Sequence, residues 1–291
     1  MSESIAQNRS ATSARHRYYA PALLLLAALL WSLGGVLIKS INWTPMAIAG
    51  ARSAIAIPVM LLCVGRPQFK LSVAQIGGAF GYAATVVLFV FATRMTTAAN
   101  AIFLQYTAPI YVALIGRWYL REKAHAIDWL VIATALGGIA LFFFDRLTLS
   151  GLWGNVIALG SGLAFASVAI FLRKEKAGSP VTSVILGNLI VALAALPFLF
   201  GPPLAAGNVW RLLVLGAVQL GFPYVLYSAA IKYVTALEAT LIPLIEPILN
   251  PLWVMLALGE RPGPWAVAGA VLVLGAVLTR AAVMMRKSPR A

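Results

Sequence analysis

A single carboxylate lies in the middle of a long apolar run of this sequence, where acidic residues are rare unless they have a function. Glu246 lies about ten residues into the run 236–258, which is about 15 Å along a helix. A charged side chain at the centre of a membrane-spanning helix costs about 2.5–3.5 kcal/mol on insertion scales, so it is a functional candidate by default. Two chemical roles fit, partner of a substrate ammonium group and proton carrier. A structural carboxylate paired with a base is the alternative.

One basic residue, Arg52, also lies inside an apolar run. It follows Pro45 by seven residues, about 10 Å from the start of the run. A guanidinium at this depth could pair with a substrate carboxylate, bind another helix, or extend towards the membrane surface. We interpret Arg52 first as a structural partner, with an ion pair or a coupling role shared with Glu246 as the functional alternative.

Prolines recur in the same apolar runs and predict bent helices. Pro243, Pro247 and Pro251 are spaced by four residues and therefore lie near one face of a helix. Each proline removes a backbone hydrogen bond, and the freed carbonyl groups need partners from protein or from a water-lined cavity. With Pro109 and Pro223, they predict helix breaks that act as hinges around a central path. Kinks that serve packing alone are the alternative.

Aromatic and amide side chains in the middle of apolar runs are the predicted wall of a cavity. A small-molecule site needs an apolar or aromatic wall and few polar anchors. Tyrosine and tryptophan near the ends of such runs belong instead to the interface belt. Besides Glu246, the predicted lining residues are Trp31, Tyr82, Gln105, Tyr106, Asn188, Tyr224 and Tyr227. Gln219 also lies at membrane depth.

The elements that position these residues are membrane helices. Of 291 residues, 62% are hydrophobic and 10% charged, which is more apolar surface than a soluble domain of this size can hide. A bilayer core about 30 Å thick needs roughly 20 apolar residues in a helix. The sequence therefore predicts an all-α integral membrane protein with ten transmembrane helices. The ten runs are 20–40, 45–65, 73–93, 97–117, 127–144, 152–172, 180–200, 209–231, 236–258 and 264–284.

The distribution of lysine and arginine predicts the orientation. If successive connections alternate between the two sides, 16 of these residues fall on one side and 5 on the other. The positive-inside rule places the richer side, which carries both termini, in the cytoplasm. Residues 1–19 are then a disordered cytoplasmic tail and residues 285–291 a basic cytoplasmic tail. Because the net charge of +14 is spread between apolar runs, nucleic acid is not an expected partner.

The chain contains an internal repeat, clearest at the end of each half. Pro109 matches Pro247 and Glu122 matches Glu260, both at a separation of 138 positions. The loop at Glu122 is strongly basic, whereas the loop at Glu260 has a single arginine. The two matching loops are therefore predicted to lie on opposite sides of the membrane.

This repeat must be inverted. The first copy, 20–146, and the second, 147–284, each hold five predicted helices, and five is an odd number. A weaker match earlier in each half sets Trp31 against Phe165 at a separation of 134. Inverted repeats are typical of secondary transporters, whose substrate site lies near the midplane at the repeat interface.

These features resemble the EamA-type branch of the drug/metabolite transporter superfamily. In that branch each five-helix unit closes with a proline-containing helix that ends in Gly-Glu, or a bare Glu, before a basic residue. The second half has Leu258-Gly259-Glu260-Arg261, whereas the first has Leu120-Arg121 in place of Leu-Gly. The similarity covers residues 20–284. Within the superfamily, the chain looks most like the aromatic amino acid exporters of bacterial inner membranes.

The resemblance implies a fold and an activity. Helices 5 and 10 would lie at the periphery, and the other helices would line a central cavity. The protein would export small metabolites, amino acids including aromatic ones, with broad specificity and by alternating access. A multi-pass protein of the bacterial inner membrane, acting as a monomer within the lipid bilayer, is expected.

Other classes of function lack the residues they need. An intramembrane enzyme requires a nucleophile–base pair, an acid dyad or a metal cluster at depth, but the two histidines, His16 and His125, lie in the tail and in a loop. We expect no catalytic residue, no metal and no cofactor. A channel should show rings of like charge or a filter-like loop, and the sequence has neither. A carrier of drug cations, sugar nucleotides or lipids from the same superfamily is the main alternative.

Overall fold

The computed structural model describes residues 19–142, 144, 151–200, 204–249 and 263–286. Within these ranges the chain forms helices and connections without a strand, which confirms the all-α prediction for the part described. In chain order the helices are α1 (Tyr19–Ser40), α2 (Pro45–Val64), α3 (Val73–Met95), α4 (Ala98–Tyr119), α5 (Ala126–Phe142), α6 (Leu152–Lys174), α7 (Pro180–Ala194), α8 (Ala206–Ala230), α9 (Ala236–Leu241, continued by a 3-10 turn at Ile242–Ile245 and by residues 246–249) and α10 (Pro264–Arg286).

The lengths and compositions of these helices are those of a membrane protein. Six of the described helices, α1, α2, α3, α4, α6 and α8, are long and apolar enough to cross a bilayer. Helix is present in each of the ten predicted runs, the ninth being described only as far as residue 249. Ten crossings, the inverted arrangement, the boundaries of the halves and the orientation stay predictions.

One helix end differs from its prediction. The seventh run was expected to continue to residue 200, but α7 ends at Ala194 and a separate short helix, Leu196–Leu199, follows. Pro197 lies in the first turn of that short helix. It has no N–H to donate to the carbonyl of Leu193, so α7 cannot continue through it.

Four helices are interrupted near their midpoints. α1 has a turn at residues 32–33, and α4 separates into Ala98–Gln105 and Ala108–Tyr119. α8 contains a π-helical turn at Ala217–Gly221, and α9 contains the 3-10 turn already given. At each interruption, backbone groups leave the regular helical pattern at a depth where only protein or water can satisfy them.

Proline explains three of the four interruptions. Pro109 lies in the first turn of the second part of α4, Pro223 follows the π-helical turn of α8, and Pro243 lies within the 3-10 turn of α9. Pro247 has no N–H to donate to the carbonyl of Pro243, which accepts instead from the N–H of Glu246 in the 3-10 pattern. Pro251 lies outside the described residues. A hinge role for these prolines stays a prediction. The turn in α1 contains no proline, but Gly34 and Gly35 follow it directly, and glycine pairs are a known cause of kinks that the proline pattern did not reveal.

The helices pack most closely where glycine brings two backbones together. α3 packs along α6 and α7, α2 packs on α7, and α5 pairs with α10. A Cβ atom on Gly81 of α3 would lie 2.3 Å from Oγ of Ser167 in α6. On Gly50 of α2 it would lie 2.0 Å from Cβ of Ala195. Small residues are the usual means of close approach between membrane helices.

Local details of α4 and α9 match the internal repeat. Thr97 and Thr235, 138 positions apart, each cap a helix start: their hydroxyls accept from the N–H groups of Asn100 (3.0 Å) and Glu238 (3.1 Å). At the end of α4, Arg121 has a positive φ of 59°, a left-handed conformation that favours glycine. The position 138 residues later is Gly259.

Candidate functional site

Seven helices, α1, α2, α3, α4, α6, α8 and α9, enclose a cavity of about 40 Å³. The volume suffices for a few water molecules and is far below the roughly 300–1,000 Å³ of typical ligand pockets. In this structure the site has room for water but not for a ligand of ordinary size. The lining residues are Trp31, Arg52, Thr85, Val86, Phe89, Gln105, Tyr106, Phe165, Gln219, Leu220, Tyr224 and Glu246.

The cavity brings together most of the residues that the sequence singled out. Five of the eight predicted lining residues reach it: Trp31, Gln105, Tyr106, Tyr224 and Glu246. Arg52 reaches it as well. The other three, Tyr82, Asn188 and Tyr227, are buried behind this wall.

Several lining residues were missed by sequence reasoning. Thr85, Val86, Phe89 and Leu220 look like ordinary helix residues in the sequence, and no pattern distinguishes them. Phe165 had a signal, because the repeat set it against Trp31, and the two rings do meet edge to face with centroids 5.9 Å apart.

Arg52 is held by neutral oxygen atoms. Its side chain is almost completely buried, with 2% of the residue exposed. Nη2 donates to the carbonyl of Val86 on α3 (3.1 Å), and Nη1 donates to Oε1 of Gln219 on α8 (3.4 Å). The described residues offer no acceptor to Nε and no acid within ion-pair distance, Glu246 included. A buried cation without a counter-ion strongly favours an anion that enters the cavity.

Glu246 contacts the break in α4. Tyr106, directly after the first part of α4, donates its hydroxyl to Oε2 of Glu246. The same hydroxyl lies 3.0 Å from the carbonyl of Pro243, which also accepts from the backbone N–H of Glu246. A tyrosine hydroxyl has one proton and two acceptor sites. If Glu246 is protonated, it can donate to the Tyr106 oxygen while Tyr106 donates to Pro243, so both charge states are satisfied.

An aromatic cluster forms one side of the cavity. The ring of Trp31 lies 4.9 Å from that of Tyr224 and 5.5 Å from that of Tyr227, centroid to centroid. Tyr224 in turn meets Tyr82 edge to face at 4.7 Å. The indole N–H of Trp31 and the hydroxyl of Tyr227 are buried without a hydrogen-bond partner among the described residues. The wall is therefore aromatic but retains polar groups that lack partners.

Two of the residues behind the wall, Tyr82 and Asn188, are hydrogen-bonded and serve as supports. The hydroxyl of Tyr82 donates to Oδ1 of Asn188 (3.1 Å), and Nδ2 of Asn188 donates to the carbonyl of Val184 (3.0 Å). Across the cavity, Nε2 of Gln105 donates to Oγ of Ser161 (2.7 Å) and so joins α4 to α6. Hydrogen bonds of this kind fix side chains that the cavity needs in place.

Comparison with known proteins agrees with this architecture. Residues 19–144 and 152–280 match the model of the EamA-like transporter family. An uncharacterized transporter of Archaeoglobus fulgidus is 26% identical over 265 residues, 89% of this chain and 95% of that protein. The uncharacterized transporter YdfC of Bacillus subtilis is 26% identical over 250 residues, 81% of each chain. One crystal structure with 18% sequence identity has the same fold, with a TM-score of 0.76 over 94% of this chain and 99% of the other.

Proposed function

Since the chain belongs to the EamA-like transporter family, we propose that this membrane transporter exports small zwitterions, chiefly amino acids including aromatic ones. The observation that carries the proposal is the cavity, which joins a cation and a carboxylate, Arg52 and Glu246, to an aromatic wall. A free amino acid has the complementary groups: a carboxylate, an ammonium group and a side chain.

The carboxylate end of such a substrate suits Arg52. Its Nε has no acceptor among the described residues, and its other two nitrogen atoms are held by Val86 and Gln219. Guanidinium–carboxylate hydrogen bonds are among the strongest in proteins because both partners are charged. The buried indole N–H of Trp31, also without a partner, is a second donor at the cavity.

The ammonium end suits Glu246, and the aromatic wall suits the side chain. The described residues give the carboxylate one hydrogen bond, from Tyr106 to Oε2. Aromatic faces attract both apolar side chains and cations. The wall has no residue that selects one particular side chain, which supports broad specificity.

Alternating access between two inverted five-helix halves is the proposed mechanism. The lining residues come from helices on both sides of the boundary between 20–146 and 147–284. The cavity of about 40 Å³ must enlarge before an amino acid can enter. We place the protein in a bacterial inner membrane, with ten crossings, both termini in the cytoplasm, and a monomer as the working unit.

Uptake into proteoliposomes tests the proposal. Tryptophan should enter with saturable kinetics, whereas tryptamine, which lacks the carboxylate, and indole-3-propionate, which lacks the ammonium group, should compete weakly. Imposing and removing a pH gradient measures proton coupling in the same preparation. Uptake of sugar nucleotides or an ion current, without uptake of any amino acid, would contradict the proposal.

An organic cation carrier is a second candidate, favoured by one observation. Glu246 lies at a cavity that Tyr106, Trp31 and Tyr224 also line, and aromatic rings with a carboxylate bind ammonium groups. Arg52 at the same cavity opposes a cation that lacks an anionic group. Tighter competition by tryptamine than by tryptophan would favour this candidate over the first.

A further inference from the structure

Gln219 lies on an irregular turn of α8. The π-helical segment Ala217–Gly221 contains it, and Pro223, which has no N–H, cannot bond to the carbonyl of Gln219. Single π-helical turns within α-helices are frequent at functional sites because they redirect a side chain. The side chain of Gln219 is 5% exposed and reaches the cavity.

Both ends of the Gln219 amide are bonded to helices of the first half. Oε1 accepts from Nη1 of Arg52 on α2 (3.4 Å), and Nε2 donates to the carbonyl of Trp31 (3.3 Å), next to the turn in α1. A Cβ atom on Gly34 would lie 2.6 Å from Nε2, so the absence of a side chain there admits the amide. A Cβ atom on Gly216 would lie 2.8 Å from the carbonyl of Arg52, so α8 and α2 also approach through glycine.

We propose that Gln219 is a positioning residue that orients the guanidinium of Arg52 and thereby sets the preference for substrates with a carboxylate. This proposal rests on the proposed function, the transport of amino acids. Between Gln219 on α8 and the Val86 carbonyl on α3, the guanidinium is held at two nitrogen atoms and Nε is left for the substrate. Gln219 itself needs no contact with the substrate.

Competition by paired ligands tests this role. Gln219→Leu should weaken binding of tryptophan about tenfold, the effect of losing roughly 1.4 kcal/mol, and leave tryptamine within about twofold. Gln219→Glu should weaken tryptophan further, because its carboxylate competes with that of the substrate for Arg52. Gln105→Leu removes a cavity amide that does not contact Arg52, and it should change both ligands alike. Equal weakening of tryptophan and tryptamine by Gln219→Leu would overturn the proposal.

A second measurement needs no substrate. Phenylglyoxal modifies arginine, and peptide mass spectrometry reports the reaction at Arg52 alone. The buried wild-type side chain should react slowly, and Gln219→Leu should raise the rate about fivefold, as a loss of about 1 kcal/mol of anchoring would. An unchanged rate overturns the positioning role even if the transported solute is not an amino acid.

A different observation carries a second inference. Five charged residues form a cluster near the end of α4 and the start of α9. We name this cluster the charge clamp; its members are Glu122, Asp128, Arg173, Glu238 and Arg280. Nε of Arg173 lies 2.8 Å from Oε1 of Glu122, while Arg280 lies 3.1 Å from both Asp128 (Nε to Oδ1) and Glu238 (Nη2 to Oε1). The side chains of Asp128, Glu238 and Arg280 are each less than one tenth exposed.

The clamp joins the two predicted halves. Glu122 and Asp128 belong to the first, whereas Arg173, Glu238 and Arg280 belong to the second. Oε2 of Glu122 also accepts from the N–H of Ala236 at the start of α9 (2.9 Å). Buried ion pairs contribute little net stability because of their desolvation, and their best-attested use is to fix one arrangement or to switch between two.

A crevice of about 200 Å³ adjoins the clamp, between the second part of α4 and the start of α9. Its apolar lining includes Ala113, Gly116 and Leu237. The same two helices supply Tyr106 and Glu246 to the central cavity. Crevice and cavity therefore follow one another along a single helix pair.

We infer that the charge clamp is the cytoplasmic gate of the transporter, closed in this structure and broken when the cavity opens to the cytoplasm. The gate lies on the face where the distribution of lysine and arginine places the cytoplasm. Opening it separates Glu122 from Arg173 and Asp128 from Arg280, and water replaces each lost partner.

Thiol labelling tests the gate without any substrate. With Cys63 replaced by serine, Thr85→Cys places a probe in the central cavity. A membrane-impermeant maleimide, applied to the cytoplasmic face of inside-out vesicles, should label the probe slowly. Asp128→Asn or Glu122→Gln should raise the rate about fivefold, as a shift of about 1 kcal/mol towards the open state would.

Two controls accompany this test. Arg117→Gln removes an exposed charge on α4 that has no ion pair among the described residues, and should leave labelling unchanged. Arg280→Lys retains the charge but not the two nitrogen atoms that reach Asp128 and Glu238, so it should raise the rate less than Asp128→Asn does. If one of the variants Asp128→Asn and Glu122→Gln does not fold, the other still decides. Unchanged or slower labelling in a folded variant would overturn the inference. The labelling assay contains no amino acid. Its result therefore does not depend on whether amino acids are the transported solutes.

Discussion

At the scale of single residues, Glu246 is the group whose role is easiest to isolate. Glu246→Gln keeps the shape and removes the charge. We expect affinity for tryptophan and tryptamine to fall about tenfold, since a hydrogen bond to a charged group contributes roughly 1.5–3 kcal/mol. Indole-3-propionate, with no ammonium group, should compete as before. Competition in proteoliposomes measures all three, and Glu175→Gln, outside the cavity, is the matched control. Transport unchanged in rate and pH profile would remove Glu246 from both candidate roles.

Arg121 offers a prediction about stability. Its φ of 59° is one that glycine adopts freely and other residues adopt at a cost of about 1–2 kcal/mol. Arg121→Gly should therefore stabilise the protein by up to about 1 kcal/mol, the remainder being offset by the greater freedom of glycine in the unfolded chain. Thermal unfolding in detergent measures the change, with Arg117→Gly, within helical α4, as a destabilised control. A lower midpoint for Arg121→Gly would contradict the strain argument.

The sequence identified charged residues far better than their partners. Glu246 and Arg52 were found because charge at membrane depth is costly. Tyr106 was only one of several aromatic residues in apolar runs, and the break in α4 is what turns its hydroxyl towards Glu246. The partners of Arg52, a backbone carbonyl and the amide of Gln219, lie on helices distant in sequence. No local pattern encodes such pairs.

At the scale of elements, replacing a proline of α9 should change thermal stability and transport rate in opposite directions. Pro247→Ala supplies an N–H that can bond to the carbonyl of Pro243 in the α-helical pattern, in competition with the N–H of Glu246 and the hydroxyl of Tyr106. We expect unfolding to need more heat and the maximal transport rate to fall severalfold, because a straighter α9 loses its hinge. Pro58→Ala is the control, since Pro58 lies inside α2 with an exposed side chain. A faster rate, or the same slowing in both variants, would contradict a hinge at Pro247.

Element starts were predicted well where a chemical signal marks them. Pro45, Pro180 and Pro264 begin α2, α7 and α10 as expected, because proline suits the first helical turn. Interruptions were predicted less well. Pro223 predicted a break in α8 but not its π-helical form, and the turn in α1 before Gly34 and Gly35 was not predicted.

At the scale of the whole molecule, the proposed inverted repeat predicts where the termini lie. Reporter enzymes that are active on only one side of the membrane, fused to residue 1 and to residue 291, should both report the cytoplasm. The reason is the unequal distribution of lysine and arginine over an even number of crossings. A reporter inserted in the 145–150 connection should report the opposite side. Termini on opposite sides would exclude ten crossings and the inverted repeat together.

The small volume of the central cavity has a consequence for the cell that carries this protein. Bacteria store energy as a difference in proton concentration and voltage across the inner membrane, and any continuous file of water through a protein discharges it. The central cavity itself has space for a droplet of a few molecules, whereas a column across the hydrocarbon would span about 30 Å. A site of this size holds only a short stretch of such a file, which favours a carrier that keeps the gradient while it is idle.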